Sequence, residues 1–401
     1  MPKVLVFAER MLPSTQTFIP LQVQELRRYV PQYVGLIPAE RNYALPHPAV
    51  LLTHDRSLRS RFRRELYRWT GFAPGFQNKL ARIEPQIIHA HFAEGASAAL
   101  SISRQLRIPV LVHLRGGAEM LSETQLRRHP FQWPYLAYRR QLWERASAFL
   151  CVSKFIRQKA ILARFPPDKL RVQYTGIHCE QFTPKKPVAA KDRHLVIYVG
   201  RLVEYKGCDY LLRAMALVQK RVPAAKLVII GEGEFRSVLE RANGELRVGA
   251  SFLGEMPQSE IRNWLEKARV FCVPSVTLKG GMSEAFGNVF SEAQAMGVPV
   301  VSFRHGGIPE TMQEGVTGLL ATERDVEQLA AHLRRFLVED AFWAEAREMG
   351  MAWVREHFSV ERQTEKLERL YDRAVGQFDD CIFAQQGLVD RYDGQREGKS
   401  P

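Results

Sequence analysis

Short β-branched runs alternate with longer amphipathic segments along almost the whole chain, and no other feature restricts the fold as much. Strand-like runs fall at 3–7, 86–91, 110–114, 148–152 and 170–173, then at 195–199, 226–230, 270–273 and 299–302. Helical stretches separate them, among others at 21–29, 210–221, 260–268, 288–296 and 325–338. Parallel strands need such crossovers, and the crossover helices cover both faces of the sheet. Each half of the chain supplies enough strands for a sheet of its own, and 401 residues suit about two domains.

The expected architecture is α/β, with two Rossmann-like doubly wound domains facing a cleft. The first covers 1–182 and the second 194–360. The Pro-, Lys- and Ala-rich segment 183–193 reads as their linker. A helix over 361–376 is expected to return to the first domain, and the segment 377–401 loses apolar periodicity and reads as a polar tail. Ligands of doubly wound sheets bind beyond the carboxyl ends of the strands, so functional residues are sought there.

Charge is divided unequally between the halves. Residues 1–182 hold 27 Lys and Arg against 12 Asp and Glu, whereas the rest hold 30 against 31, so the whole net charge of +14 resides in the first half. Such asymmetry points to an anionic partner for that half, whether nucleic acid, a membrane surface or an acidic substrate. A hydrophobic content of 46% excludes whole-chain disorder. Five widely spaced cysteines without a Cys-x-x-Cys pair argue against a disulfide scaffold or a structural zinc site, and fit reduced thiols in the cytoplasm. The opening MPKVLVFAER enters a strand without a signal-peptide pattern, and no uncharged run approaches the ~18 residues of a membrane span.

Part of the excess charge is concentrated at 55–69. There Leu58, Phe62, Leu66 and Trp69 share one helical face, and arginines occupy the others. A basic amphipathic helix of this kind suits the interface of an anionic membrane. It equally suits a helix packed on its own sheet with a solvated basic face.

Two elements of the second half carry chemistry. After the run at 195–199 come Gly200, Arg201, Glu204, Lys206 and Gly207, followed by a helix. Arg201 offers a planar fork for phosphate oxygens and Lys206 a point charge. Further on, Gly280-Gly281-Met282-Ser283-Glu284-Ala285-Phe286-Gly287-Asn288-Val289 opens a helix that contains Glu292. Amides at Gly287, Asn288 and Val289 at a helix start form an anion seat. Two flanking acids would repel phosphate, but they accept hydrogen bonds from sugar hydroxyls. Taken separately, Glu284 also suits a helix cap and Glu292 a solvated face.

Together with Ala295-Met296-Gly297-Val298-Pro299, Gly306-Gly307-Ile308-Pro309-Glu310 and Gly315-Val316-Thr317-Gly318, this set resembles the donor site of the family-4 retaining glycosyltransferases of the GT-B fold. The resemblance implies that Arg201 and Lys206 bind the donor diphosphate, that Glu284 contacts the donor sugar and that Glu292 holds the ribose. The loop amides around Phe286, Gly287, Asn288 and Val289 would reach phosphate and sugar, and Leu253 and Met256 would touch the base. It further implies a UDP- or GDP-sugar donor, a sugar acceptor that is often lipid-linked, and a peripheral position at the inner face of the membrane. No Asp-x-Asp motif follows any strand, so fixed cations and helix amides, rather than a metal ion, are expected to stabilise the leaving diphosphate.

In the first half, the run ending at His91 resembles the family's histidine-bearing stretch, and Thr15-Gln16-Thr17-Phe18-Ile19 resembles a pattern of exopolysaccharide-type members. Both His91 and Gln16 are placed on the acceptor side. Where the family has His-Gly, this sequence has Arg115-Gly116, with His113 two residues earlier and therefore on the same strand face. Either side chain could take the family histidine's role, and Glu119 could replace a family Asp. The resemblance implies a front-face mechanism without a dedicated protein base. The alternatives are a nucleic-acid- or anionic-surface-binding protein without transferase activity, or another GT-B enzyme such as an inverting transferase or an epimerase. A dinucleotide oxidoreductase is disfavoured, because no Gly-x-Gly-x-x-Gly follows the first strand.

Overall fold

A computed structural model describes every residue except 12, 14, 15, 17, 40–44, 189–190, 279 and 395–401, and no side chain beyond 378. The chain divides into two compact units. Unit 1 comprises Met1–Val152, Ile156–Gln173 and the residues from Gln363 onward, and unit 2 comprises Ser153–Phe155 and Tyr174–Arg362. The division falls after Gln173, ahead of the 183–193 segment.

Unit 1 carries β1 (Lys3–Phe7), β2 (Arg10–Met11), β3 (Val30–Gly35), β4 (Ile37–Pro38), β5 (Val50–Leu51), β6 (Ile87–His91), β7 (Val110–Leu114), β8 (Ala148–Cys151) and β9 (Leu170–Val172). Seven of these form one sheet in the order β5-β3-β1-β6-β7-β8-β9, with every neighbouring pair parallel. Unit 2 carries β10 (Leu195–Val199), β11 (Lys226–Ile230), β12 (Ser251–Phe252), β13 (Val270–Cys272), β14 (Val300–Phe303) and β15 (Gly318–Ala321). They form a second parallel sheet, ordered β12-β11-β10-β13-β14-β15. Strand order reverses between β1 and β6 in the first sheet and between β10 and β13 in the second. The crevice at such a reversal is where doubly wound sheets take ligands.

Central strands β6, β7 and β10 are buried at every residue. Helices on both faces leave no solvated side, which explains why these strands read as continuous apolar runs. Strand β3 is not evident from its sequence because Pro31 interrupts it. The structure accommodates Pro31 near the strand's start, opposite Val4. The helix expected at 21–29 is instead Phe18–Gln24. The last helix, Val360–Gly394, continues through much of the segment read as a polar tail.

That last helix completes unit 1. Leu367, Tyr371 and Ala374 pack into the core with Val4, Val6, Ile19, Tyr33 and Ile87. Glu368 accepts the amide N–H groups of Arg27 and Arg28 at 2.8 and 2.6 Å. The Tyr29 hydroxyl donates to Asp372 at 2.9 Å. No helix among the described residues is long and apolar enough to cross a membrane.

Glycine is required where loops meet at the end of the second sheet. Gly207 has φ +66°, and a Cβ there would lie 1.9 Å from the Pro274 carbonyl oxygen. Gly244, inside the helix Arg236–Leu246, has nothing within 4 Å of the same position. Gly207→Ala is therefore expected to destabilise the chain by at least ~2 kcal/mol, whereas Gly244→Ala is expected to stabilise it by ~0.5–1 kcal/mol. Urea unfolding of the two variants measures both.

Candidate active site

In unit 2 the chemically distinctive residues gather where β10 and β13 end, on either side of the strand reversal. The loop after β10 runs through Arg201 to a short 3₁₀ turn at Glu204–Lys206. Arg201 is exposed, and its Nη2 donates to the Tyr205 hydroxyl at 2.9 Å. Lys206 donates to the Glu284 carboxylate, and both side chains are only 12% exposed. Burial opposes the charge on Lys206, but Glu284 and Tyr205 outweigh it and raise the ammonium's pKa.

Glu284 is held through its backbone. Its N–H donates to His305 Nε2 at 3.1 Å, and its carbonyl accepts the Gly307 N–H at 3.0 Å. His305 Nε2 must therefore be unprotonated, which leaves the proton on Nδ1, facing Thr277 Oγ1 at 3.2 Å and Glu323 Oε2 at 3.3 Å. Gly306 and Gly307 allow this approach, since a Cβ on either would stand 2.2 Å from a carbonyl oxygen of Glu284 or Ala285. The Gly-Gly-Ile-Pro-Glu run thus acts as a backbone brace for the acidic loop.

The helix Asn288–Ala295 follows that loop. Its N-cap is Gly287 at φ +92°, with neither a side-chain cap nor an acid in the first turn. The N-terminal amides of Asn288 and Val289 consequently stand at an uncapped helix start, an electropositive position. Phe286 is buried. Glu292, one turn on and half-buried, has its pKa raised to about 7 by burial, with Arg262 opposing. Leu253 is exposed and Met256 half-buried beyond β12. A cavity of about 600 Å³ occupies the opposite end of this sheet, lined by Leu195, Lys226 and Ser251 at the starts of β10, β11 and β12.

In unit 1, β6 and β7 bring His89, His91 and His113 together, all fully buried. Arg115 Nη2 lies 3.4 Å from Nδ1 of both His91 and His113, and donates to Gln22 Oε1 at 2.8 Å. Its guanidinium sits over the Phe18 ring at 4.5 Å. With Arg115 donating to His113 Nδ1, the 3.2 Å contact from His89 Nε2 must also be a donation. His89 Nδ1 then accepts from the Tyr371 hydroxyl at 2.6 Å. Burial, reinforced by Arg115, lowers all three histidine pKa values, that of His89 to about 3. Burial also brings Arg115 down to about 9, against the pull of Glu119. The three ring systems could present one ligand atom each within 4.8 Å of one another, but a guanidinium already occupies their shared side.

Glu119 fixes the turn after β7. Its Oε1 accepts three consecutive amides, those of Arg115, Gly116 and Gly117, at 2.9, 3.1 and 3.1 Å. Gln16 is half-buried, and its Oε1 has no hydrogen-bond partner among the described residues. Its neighbours Thr15 and Thr17 lie outside the described residues. The structure thus joins Lys206 to Glu284 and His113 to Arg115, residues that the sequence singled out separately. It adds His305, Tyr371 and Gln22, for which the sequence offered one signal, the position of His305 directly before Gly306-Gly307.

Two family descriptions match contiguous stretches, "Glycosyltransferase Family 4" over residues 27–181 and "Glycosyl transferases group 1" over 180–352. The chain belongs to glycosyltransferase family 4. It is 31% identical over 260 residues to the amylovoran biosynthesis glycosyltransferase AmsK of Erwinia amylovora, covering 63% of this chain and 62% of that one. It is 26% identical over 375 residues to a GDP-mannose-dependent phosphatidylinositol monomannoside mannosyltransferase of Mycolicibacterium smegmatis, covering 87% and 91%. The match to the Erwinia protein thus spans less than two thirds of its length. Among solved structures, Anabaena HepE in complex with UDP and glucose superimposes with a TM-score of 0.71 at 18% identity, covering 92% of this chain and 99% of that one. Sucrose-phosphate synthase from Thermosynechococcus elongatus does so with 0.71 at 20%, covering 94% and 100%. The fold of this family-4 chain is GT-B.

Two outcomes follow from the geometry. Glu119→Ala removes a buried carboxylate that holds three amides of a partly exposed turn, and is expected to cost about 1–3 kcal/mol in denaturant unfolding. Because Glu292's pKa is raised, its contribution to stability is fully present below the ordinary carboxyl range and is lost as pH rises through about 7. Glu292→Gln is therefore expected to be more stable than the parent at pH 8, by about 1–2 kcal/mol after solvent screening. Melting curves at pH 4.5 and pH 8 should show that gain shrinking toward the acid end.

Proposed function

We propose that this chain is a retaining, metal-independent hexosyltransferase that moves a sugar from a UDP- or GDP-sugar to a sugar hydroxyl of a lipid-linked or polysaccharide-precursor acceptor. The observation that carries this reading is the Lys206–Glu284 pair beside the uncapped start of the helix Asn288–Ala295, at the strand reversal of the second sheet. Such a site offers cations and amides for a diphosphate and a carboxylate for hydroxyls within one loop cluster. The complexes of HepE with UDP and with UDP-glucose support a nucleotide-sugar donor. The polysaccharide and phosphatidylinositol-mannoside activities in the relatives' names support the acceptor class.

In this reading the diphosphate lies against Arg201, Lys206 and the amides of Gly287, Asn288 and Val289. Glu284, with the Phe286–Gly287 backbone, receives the sugar hydroxyls, Glu292 the ribose diol, and Leu253 and Met256 flank the base. The bond from sugar C1 to the β-phosphate oxygen breaks, and a bond from the acceptor oxygen to C1 forms on the same face. The acceptor's proton passes to the departing phosphate oxygen, so no protein base is consumed. Arg201 and Lys206 hold the charge that builds on the leaving group, the role a metal ion would otherwise play. In unit 1, Arg115 is the better candidate for the family histidine's place, because His113 is wholly enclosed whereas Arg115 is half-buried. His91 and Gln16 belong to the acceptor side. The enzyme acts in the cytoplasm, peripherally on the inner membrane face, through the basic residues of its first half.

Single-turnover transfer with Lys206→Ala or Glu284→Ala is expected to fall by at least ~100-fold, and Glu292→Ala to act mainly on the donor's KM. The product anomer should match the donor, and chelator should leave the rate unchanged. An inverted product would identify a different GT-B chemistry. Activity lost to chelator and restored by Mg²⁺ or Mn²⁺ would overturn the metal-free site.

A further inference from the structure

The basic helix Leu58–Thr70 does not pack as an amphipathic sequence would ordinarily pack. Its buried residues are Tyr67 and Arg68, the former meeting Ser101 Oγ at 2.8 Å. The apolar stripe faces outward, with Leu58 83% and Phe62 70% exposed and Leu66 and Trp69 also exposed. Burying such a stripe against something outside the unit would remove a substantial apolar area from water.

The surface does not stop at that helix. Arg68 turns inward, pairs with Glu9 at 3.5 Å and donates to the Phe131 carbonyl at 2.7 Å, with its guanidinium over the Phe131 ring. This ties the stripe to the exposed Phe131 and Trp133 at the start of the helix Trp133–Arg145. Between the two helices lies a cavity of about 540 Å³ with Trp69 and Trp133 in its walls. Its charged lining is Arg127, Arg139, Arg140 and Glu123. Glu123 pairs with Arg127 at 2.7 Å and with Arg139 at 3.0 Å, so two guanidinium groups share one carboxylate and Arg140 adds a third positive charge to the lining. Arg56, Arg59, Arg61 and Arg63 are exposed along or beside the stripe.

Resting on the membrane-facing reading above, we infer that this cavity seats the phosphate of an anionic phospholipid while the Leu58–Trp69 stripe and Phe131 enter the bilayer interface. The uncompensated guanidinium groups match a phosphodiester in charge and in forked geometry. Tryptophans at the rim, with an apolar body and one polar edge, suit the headgroup level. A nucleic acid would use the arginines but leaves Leu58, Phe62 and Leu66 without a purpose, so the bilayer accounts for more of the surface.

Sedimentation of the full chain with phosphatidylcholine vesicles, with and without phosphatidylglycerol, tests the inference. The parent chain should bind only the anionic vesicles. Arg127→Glu with Arg140→Glu, and separately Phe62→Ser with Leu66→Ser, should each weaken that binding by at least roughly tenfold, with donor hydrolysis and melting temperature unchanged. Excess soluble glycerol phosphate should not release the parent chain. If the arginine variant bound like the parent, the headgroup seat would be overturned while the membrane reading stood. If the parent ignored anionic vesicles but bound RNA or DNA, both would fall. Release by glycerol phosphate, with the Ser variant still binding fully, would mark a soluble phosphate-ester site instead and overturn the lipid assignment.

Discussion

Carbonyl oxygens facing glycines, at distances where no side chain could stand, hold the carboxyl end of the second sheet together. Gly207 lies against Pro274, Gly306 against Glu284 and Gly307 against Ala285. These contacts draw the loops after β10, β13 and β14 into one cluster. Lys206 reaches Glu284 because Gly207 lets its loop close on the one after β13. Glu284 keeps its place because His305 and Gly307 occupy both of its backbone hydrogen-bonding groups. The charged pair thus rests on a backbone packing that brings its two loops together.

In unit 1 the equivalent position is organised by desolvation. Three imidazoles and a guanidinium share a buried space, and burial favours the neutral form of each. Arg115 is the member that retains charge, because it alone reaches Gln22, the Phe18 ring and the field of Glu119. A neutral histidine bed beneath a single cation accepts its N–H groups without repelling it. Tyr371 extends this network onto the last helix, so the residues after 362 help shape the candidate acceptor side as well as close the core.

Much of this was legible in the sequence, for physical reasons that differ from element to element. Central parallel strands are apolar on both faces, so β1, β6, β7, β10 and β11 stand out as runs. Edge strand β5 has two residues, too few to leave a pattern, and β3 hides behind Pro31. The loop residues that cluster after β10 and β13 were readable because glycines and charges recur there at fixed spacing after strands. The braces His305 and Tyr371 were not, since a hydrogen bond between residues distant in sequence leaves no periodicity. The helix Leu58–Thr70 shows a further limit. Its apolar spacing gave the right face, but only the structure shows that face turned outward, with Tyr67 and Arg68 inward instead.

The pairing of Lys206 with Glu284 bears on how a near-neutral second half can attract a diphosphate. While the two are paired, their charges cancel locally, and the positive field left for an anion comes from the exposed Arg201 and the uncapped start of the helix Asn288–Ala295. In the proposed reading a donor presents phosphate and sugar hydroxyls together, so it can replace each partner of the pair with a group of fitting character. Phosphate takes up Lys206 as hydroxyls take up Glu284, and neither charge is left buried and unpaired. A free diphosphate satisfies Lys206 but leaves Glu284 stranded beside an anion, which is costly. A sugar without phosphate leaves Lys206 stranded in the same way. On that reading the pair would favour the intact donor over either fragment, a selectivity that would arise from two charges that cancel while they are paired with each other.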